Sequence, residues 1–156
     1  MKQNGYRPFV IFAEGTTSNG RYLLPFKQGG FAGMRSVIPT YLDWSLGQVW
    51  PFYDTVEFGP MCILLMSSIS FTVLTINVMP EFTPNTVMLE KHADKGKEPW
   101  EIFAWCVRDS ISKHGGLTKV ETNYAQKTAW HKFFQHKADF VEVDGVKFGC
   151  PSKKTD

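Results

Sequence analysis

Cysteine is scarce in this 156-residue chain, and its three copies, Cys62, Cys106 and Cys150, are odd in number, far apart and in no Cys-x-x-Cys or Cys/His spacing. That pattern predicts a reducing compartment and no structural zinc. Net charge is nearly absent as well: 17 Lys and Arg stand against 15 Asp and Glu, a formal +2, which is too little to argue for a nucleic-acid partner. Internal repeats and low-complexity tracts are missing. The opening "MKQNGYRP" lacks the apolar centre of a signal peptide, and its basic pair does not make a transit peptide. At this length one domain with a full core is expected, since ~100 to 200 residues per domain is usual.

Aromatic residues are abundant instead. Thirteen Phe, 5 Tyr and 5 Trp make up 15% of the chain, more than one core of this size needs, so some are expected to face a partner, a lipid or a membrane interface. Trp44, Trp50, Phe52 and Tyr53 are the interfacial set; the alternative is that they pack beneath a sheet. The charge, small in sum, is uneven: residues 1–42 hold Lys2, Arg7, Arg21, Lys27 and Arg35 against Glu14 alone. Such an excess draws an anionic ligand such as phosphate, or is a solvated basic face. Glu14 itself sits in "FAEGTTSNG", between an apolar run and a stretch of glycine, hydroxyl and amide side chains. A carboxylate there either holds a ligand or is bonded to its own turn amides.

Hydrophobic patterning divides the chain into short elements. "PFVIFA", Pro8 to Ala13, reads as a buried strand that ends at the Glu-Gly-Thr-Thr turn. Pro25 opens a short helix weakened by Gly29, Gly30 and Gly33. A strand is expected over 36–42, with Pro39 marking an edge or a bulge. No charged residue occurs from Phe58 through Pro80; the pattern predicts a helix over 59–69 and a β-branched strand over 71–79, the alternative being one membrane-spanning helix. Residues 85–99 read as a polar loop and 98–113 as a helix stopped at Gly115 and Gly116. A helix is expected over 124–136, then a hairpin turning at Asp144-Gly145. The fold class predicted is α/β, a mixed sheet flanked by helices, with the strands at 8–13, 36–42 and 71–79 in one sheet.

"FAEGTTSNG", followed by "PFKQGGF" and "VIPTY", closely resembles the third and fourth sequence blocks of the glycerolipid acyltransferase family, in its lysophosphatidylcholine and 1-acylglycerophosphate acyltransferase branch. The resemblance is firm over 8–41 and fainter through "INVMPEF", the helix at 98–113 and "LTKVETNY". It implies the C-terminal part of an acyltransferase domain over 1–120, with an aromatic, basic extension over 121–156. It also implies substrate-binding roles: Glu14 would accept hydrogen bonds from an acceptor hydroxyl, Gly15, Thr16 and Thr17 would let the backbone approach, and Arg21 or Lys27 would offset phosphate charge. Ala13 departs from the family, which usually has Pro there.

A larger departure is the catalytic His-x4-Asp block, which the family carries well before its glutamate block. In this chain the fifth residues after His92, His114, His131 and His136 are Lys97, Lys119, His136 and Val141. No catalytic residue is therefore assigned, and the chain alone is expected to be inactive, because a general base must take the acceptor's proton. Two functions stand. In one, the chain is part of an enzyme that transfers an acyl group from acyl-CoA, a co-substrate rather than a cofactor, to a lysophospholipid or glycerophosphate. In the other, it is a degenerate structural or lipid-binding subunit of a membrane assembly. Both readings take a membrane surface as partner, on the endoplasmic reticulum or a mitochondrial membrane, and an upstream half-domain or further subunits; neither involves nucleic acid or a metal.

Overall fold

A computed structural model of the chain describes residues 9–18, 20–45, 58–67, 73–122, 124–134, 138–143 and 145–149. In chain order these form β1 (Tyr22–Leu23), β2 (Thr40–Ser45), α1 (Phe58–Ser67), β3 (Val73–Val78), α2 (Thr86–Lys91), α3 (Pro99–Gly115), β4 (Thr118–Lys119), α4 (Tyr124–Phe134), β5 (Phe140–Val143) and β6 (Val146–Gly149). Short 3-10 turns occur at Gln28–Gly30 and Ala93–Lys95. The strands pair two by two: β1 with β4 in parallel, β2 with β3 and β5 with β6 antiparallel. Helices and small mixed sheets make this an α/β arrangement.

The longest helix, α3, organises the rest, and its ends are written locally. Pro99 stands in the first turn, where its missing N–H costs nothing. Glu98 and Glu101 form a reciprocal capping box, in which Glu101 Oε2 accepts from the N–H groups of Lys97 at 2.6 Å and Glu98 at 3.2 Å. At the other end Gly116 takes the left-handed conformation, with φ 63°, and its N–H donates to Ser112 O. Between the caps, Phe103, Ala104, Val107 and Ile111 recur at helical spacing and are buried.

That face packs on the loop-rich first third of the chain. Phe31 meets Phe103 edge to face at 5.4 Å between ring centres and stacks on Phe26 at 5.8 Å. Leu23 completes the cluster from β1. The residues that resemble family blocks thus form one wall of the core, and α3 forms the other.

Several expectations change. Residues 9–12 make no strand pairing among the described residues, and Phe9, Val10 and Phe12 are 85%, 79% and 78% exposed; an apolar run becomes a strand only when a partner edge satisfies its backbone. The strand expected at 36–42 starts at Thr40, because Pro39 interrupts the ladder after an isolated Val37–Phe82 bridge. β2 pairs with β3 as expected, but with a separate β1–β4 pair and a separate hairpin there is no single sheet among the described residues. The helix expected after Pro25 shrinks to the 3-10 turn. Residues 85–99 are not all loop: Asn85 Oδ1 accepts from Met88 N–H at 2.8 Å and caps α2. α1 and β3 divide 58–80 as read, and the strand excludes one continuous membrane helix. Among the described residues no helix is long and apolar enough to cross a membrane.

Phe103 is fully buried. Phe103→Ala is expected to cost about 3 to 5 kcal/mol through lost burial and a cavity, measured by urea denaturation. Val87→Ala, at a residue 70% exposed on α2, is expected to change stability by less than about 0.5 kcal/mol.

Candidate functional site

The loop after Phe12 closes on itself before it meets anything else. Gly15 N–H donates to Phe12 O at 3.1 Å, and Gly15 has a φ of +66°, a conformation that side chains with a Cβ rarely adopt. A Cβ there would also lie 3.2 Å from Lys27 Cγ. Lys27 N–H donates to Ala13 O at 2.7 Å, so the two motif segments are bonded to each other. This turn aims Glu14 inward, where Oε1 accepts from Leu24 N–H at 3.2 Å.

Two cations from distant elements act on that carboxylate. Arg108, on the core face of α3, donates to Leu23 O at 2.8 Å and to Val120 O at 2.6 Å from Nη2, and to Glu121 Oε1 at 2.8 Å from Nη1. Lys127, on α4, donates to Thr17 O, to Thr17 Oγ1 at 3.2 Å and more weakly to Thr16 Oγ1 at 3.4 Å. Burial pushes the Glu14 carboxyl above its ordinary value of 4.5; the Leu24 N–H, then Arg108 and Lys127, pull part of that back.

Glu14, Gly15, Thr16 and Thr17 therefore share one loop, and Lys27 lies against it through its backbone and stem. Arg21 is exposed, and neither it nor the Lys27 ammonium is among the charges that act on Glu14. Arg108 and Lys127 take that part, and sequence reading missed both. Arg108 had a signal: it follows Ala104 by four residues and Val107 by one on an otherwise apolar face, where a charge needs partners. Lys127 had none, since nothing in "YAQKTAWHKFF" distinguishes it.

The histidines have other surroundings. His92 packs on Trp105 and His114 on Tyr41, with ring centres 5.4 and 6.0 Å apart; His131 lies on α4 and His136 outside the described residues. Trp50, Phe52, Tyr53 and Cys150 also fall outside them, and Trp44 is half-buried on β2. Among the described residues no three His, Cys, Asp or Glu side chains group as metal ligands.

The turn thus brings one half-buried carboxylate and two threonines together with two cations from distant elements. Over 122 residues the chain is 28% identical to the lysophospholipid acyltransferase LPEAT1 of Arabidopsis thaliana, a match that covers 78% of this chain and 28% of that protein. The likeness supports a relationship to acyltransferases of lipid metabolism. No family profile and no solved structure matches the chain.

A raised folded-state value means that the folded chain holds the Glu14 proton more tightly than the unfolded chain does. Its contribution to stability is then greatest below the unfolded value and is lost as pH rises through the folded one. Glu14→Gln removes that dependence. Urea denaturation across a pH series is expected to show the variant gaining on the unmodified chain as pH rises from below 4.5; a flat or opposite difference contradicts the burial account. Gly15→Ala, in the same turn, is expected to cost about 1 to 2 kcal/mol for its left-handed backbone.

Proposed function

We propose that this chain forms the acceptor-holding part of an acyltransferase domain that moves an acyl group from acyl-CoA to a lysophospholipid or a glycerophosphate. The observation that carries the reading is the half-buried Glu14 in its closed turn, with one oxygen bonded to Leu24 and with Arg108 and Lys127 acting on its charge. A carboxylate has roughly four lone-pair positions, so it can also accept from an acceptor hydroxyl. The hydroxyls of Thr16 and Thr17 and the Lys127 ammonium suit a phosphate on the same molecule.

In the reaction the acceptor oxygen attacks the thioester carbonyl, a base takes its proton and the coenzyme A thiolate leaves. No His-x4-Asp pair occurs in these 156 residues, so the base is assigned to residues outside the chain. Covering the exposed Phe9, Val10 and Phe12 and the exposed apolar side of α1, with Ile63 and Met66, would suit either an upstream half-domain or a membrane surface. Peripheral attachment to a membrane fits the second. A second reading, a degenerate lipid-binding or structural subunit, is favoured by the Leu24 bond, which lets Glu14 brace its own loop without any ligand.

The discriminating experiment joins the chain to a segment bearing a His-x4-Asp pair and measures acyl transfer from acyl-CoA to a lysophospholipid. Transfer is expected, with kcat/KM for the acceptor falling about 10- to 100-fold in Glu14→Gln, the span of one hydrogen bond to a charged group. Transfer indifferent to that substitution, or none at all from a folded fusion, returns the chain to the second reading.

A further inference from the structure

Arg108 acts on the Glu14 charge from a buried position. The Arg108 side chain is only 4% exposed, a costly position for a charge unless its donors are used. Its Nε, sealed from solvent, meets no acceptor among the described residues. Glu121, its ion-pair partner, is 80% exposed, and a pairing with so solvated a carboxylate explains little of why the guanidinium is buried. The contacts of Nη2 are more informative. Leu23 O, which accepts from Nη2 at 2.8 Å, and Leu24 N–H, which donates to Glu14 Oε1 at 3.2 Å, belong to a single planar peptide group. The guanidinium grips the oxygen end of that group while Glu14 holds its nitrogen end. A cation on the carbonyl polarises the amide and makes its N–H a stronger donor.

We propose that Arg108 is a positioning residue for Glu14, acting through the Leu23–Leu24 peptide group to fix where the carboxylate points and to favour its charged form. This rests on Glu14 being the ligand-holding group of the reading above. Lysine is no equivalent at position 108, because a single ammonium lacks the fork that reaches Leu23 O, Val120 O and Glu121 together. The other charge acting on Glu14 is Lys127 from α4, which bonds Thr16 and Thr17.

The test is an NMR pH titration of the isotope-labelled 156-residue chain without lipid or acyl donor, so it does not depend on acyl transfer. The Glu14 carboxyl carbon, the Leu24 amide proton and the Arg108 Nε–H are expected to shift with one shared midpoint. Glu121→Gln alters an exposed side chain and leaves the core intact; by removing the counter-charge on the guanidinium it is expected to lower the Glu14 midpoint. Arg108→Gln is expected to raise the midpoint, and Arg108→Lys to recover part of that rise. A Leu24 amide indifferent to the Glu14 titration, or a midpoint unmoved by Glu121→Gln, overturns the proposal. If Arg108→Gln does not fold, those two measurements decide alone. An arginine that only braced the fold would change the melting temperature of the variants and leave the midpoint where it was. Failure of the acyltransferase reading has a different signature: midpoints that behave as expected in a chain whose fusion transfers nothing.

Discussion

The peptide group between Leu23 and Leu24 is held at both ends, and much of the described structure converges on it. Its carbonyl accepts from Arg108 and from Val120 N–H, the latter at 3.2 Å, and its N–H donates to Glu14. Through those bonds α3, the segment after β4 and the glutamate loop are fixed to β1. Two residues of strand are too short to be stable alone. Here the pair is sustained because a buried guanidinium takes the carbonyls of both Leu23 and Val120.

Packing follows the same geometry. Leu23 turns its side chain into the cluster with Phe31, Phe103 and Val107 while its backbone meets Arg108. One residue thus joins the apolar core to the polar site and ties the loop to α3. Elsewhere the described structure is less covered. β3 exposes Val73, Ile76 and Val78, and α1 buries only Met61, so each leaves several large apolar side chains in water.

The site draws on parts of the chain that sequence reading kept separate. Lys127 lies beyond residue 120, in what reads as an extension, yet it bonds Thr17 in the loop. The aromatic character of that region also finds a use in packing: Trp130 of α4 lies 5.4 Å from Phe148 of β6, ring centre to centre, and Val141 of β5 is buried. Some of the aromatic excess therefore packs against itself, although Phe148 is 44% exposed and Phe134 and Phe140 are more than half exposed.

Local chemistry made much of the fold legible. The capping box and Pro99 opened α3, Gly116 closed it, the β-branched run made β3, and the motif drew attention to Glu14. Asn85 was a further local signal, and its cap shows that part of the polar loop was helical. By itself, then, the sequence determined the extent of α3, the split of the uncharged run into α1 and β3, and the turn that carries the carboxylate, since these depend on neighbours a few residues apart. Only tertiary structure decided that residues 9–12 find no strand partner among the described residues, that β1 pairs with β4, and that Arg108 and Lys127 are the cations at Glu14. The side-chain hydrogen bonds of Arg108 and Lys127 to Leu23, Thr16 and Thr17 join residues 85 to 111 positions apart, and which distant groups meet is settled by how α3 and α4 pack rather than by any pattern along the chain.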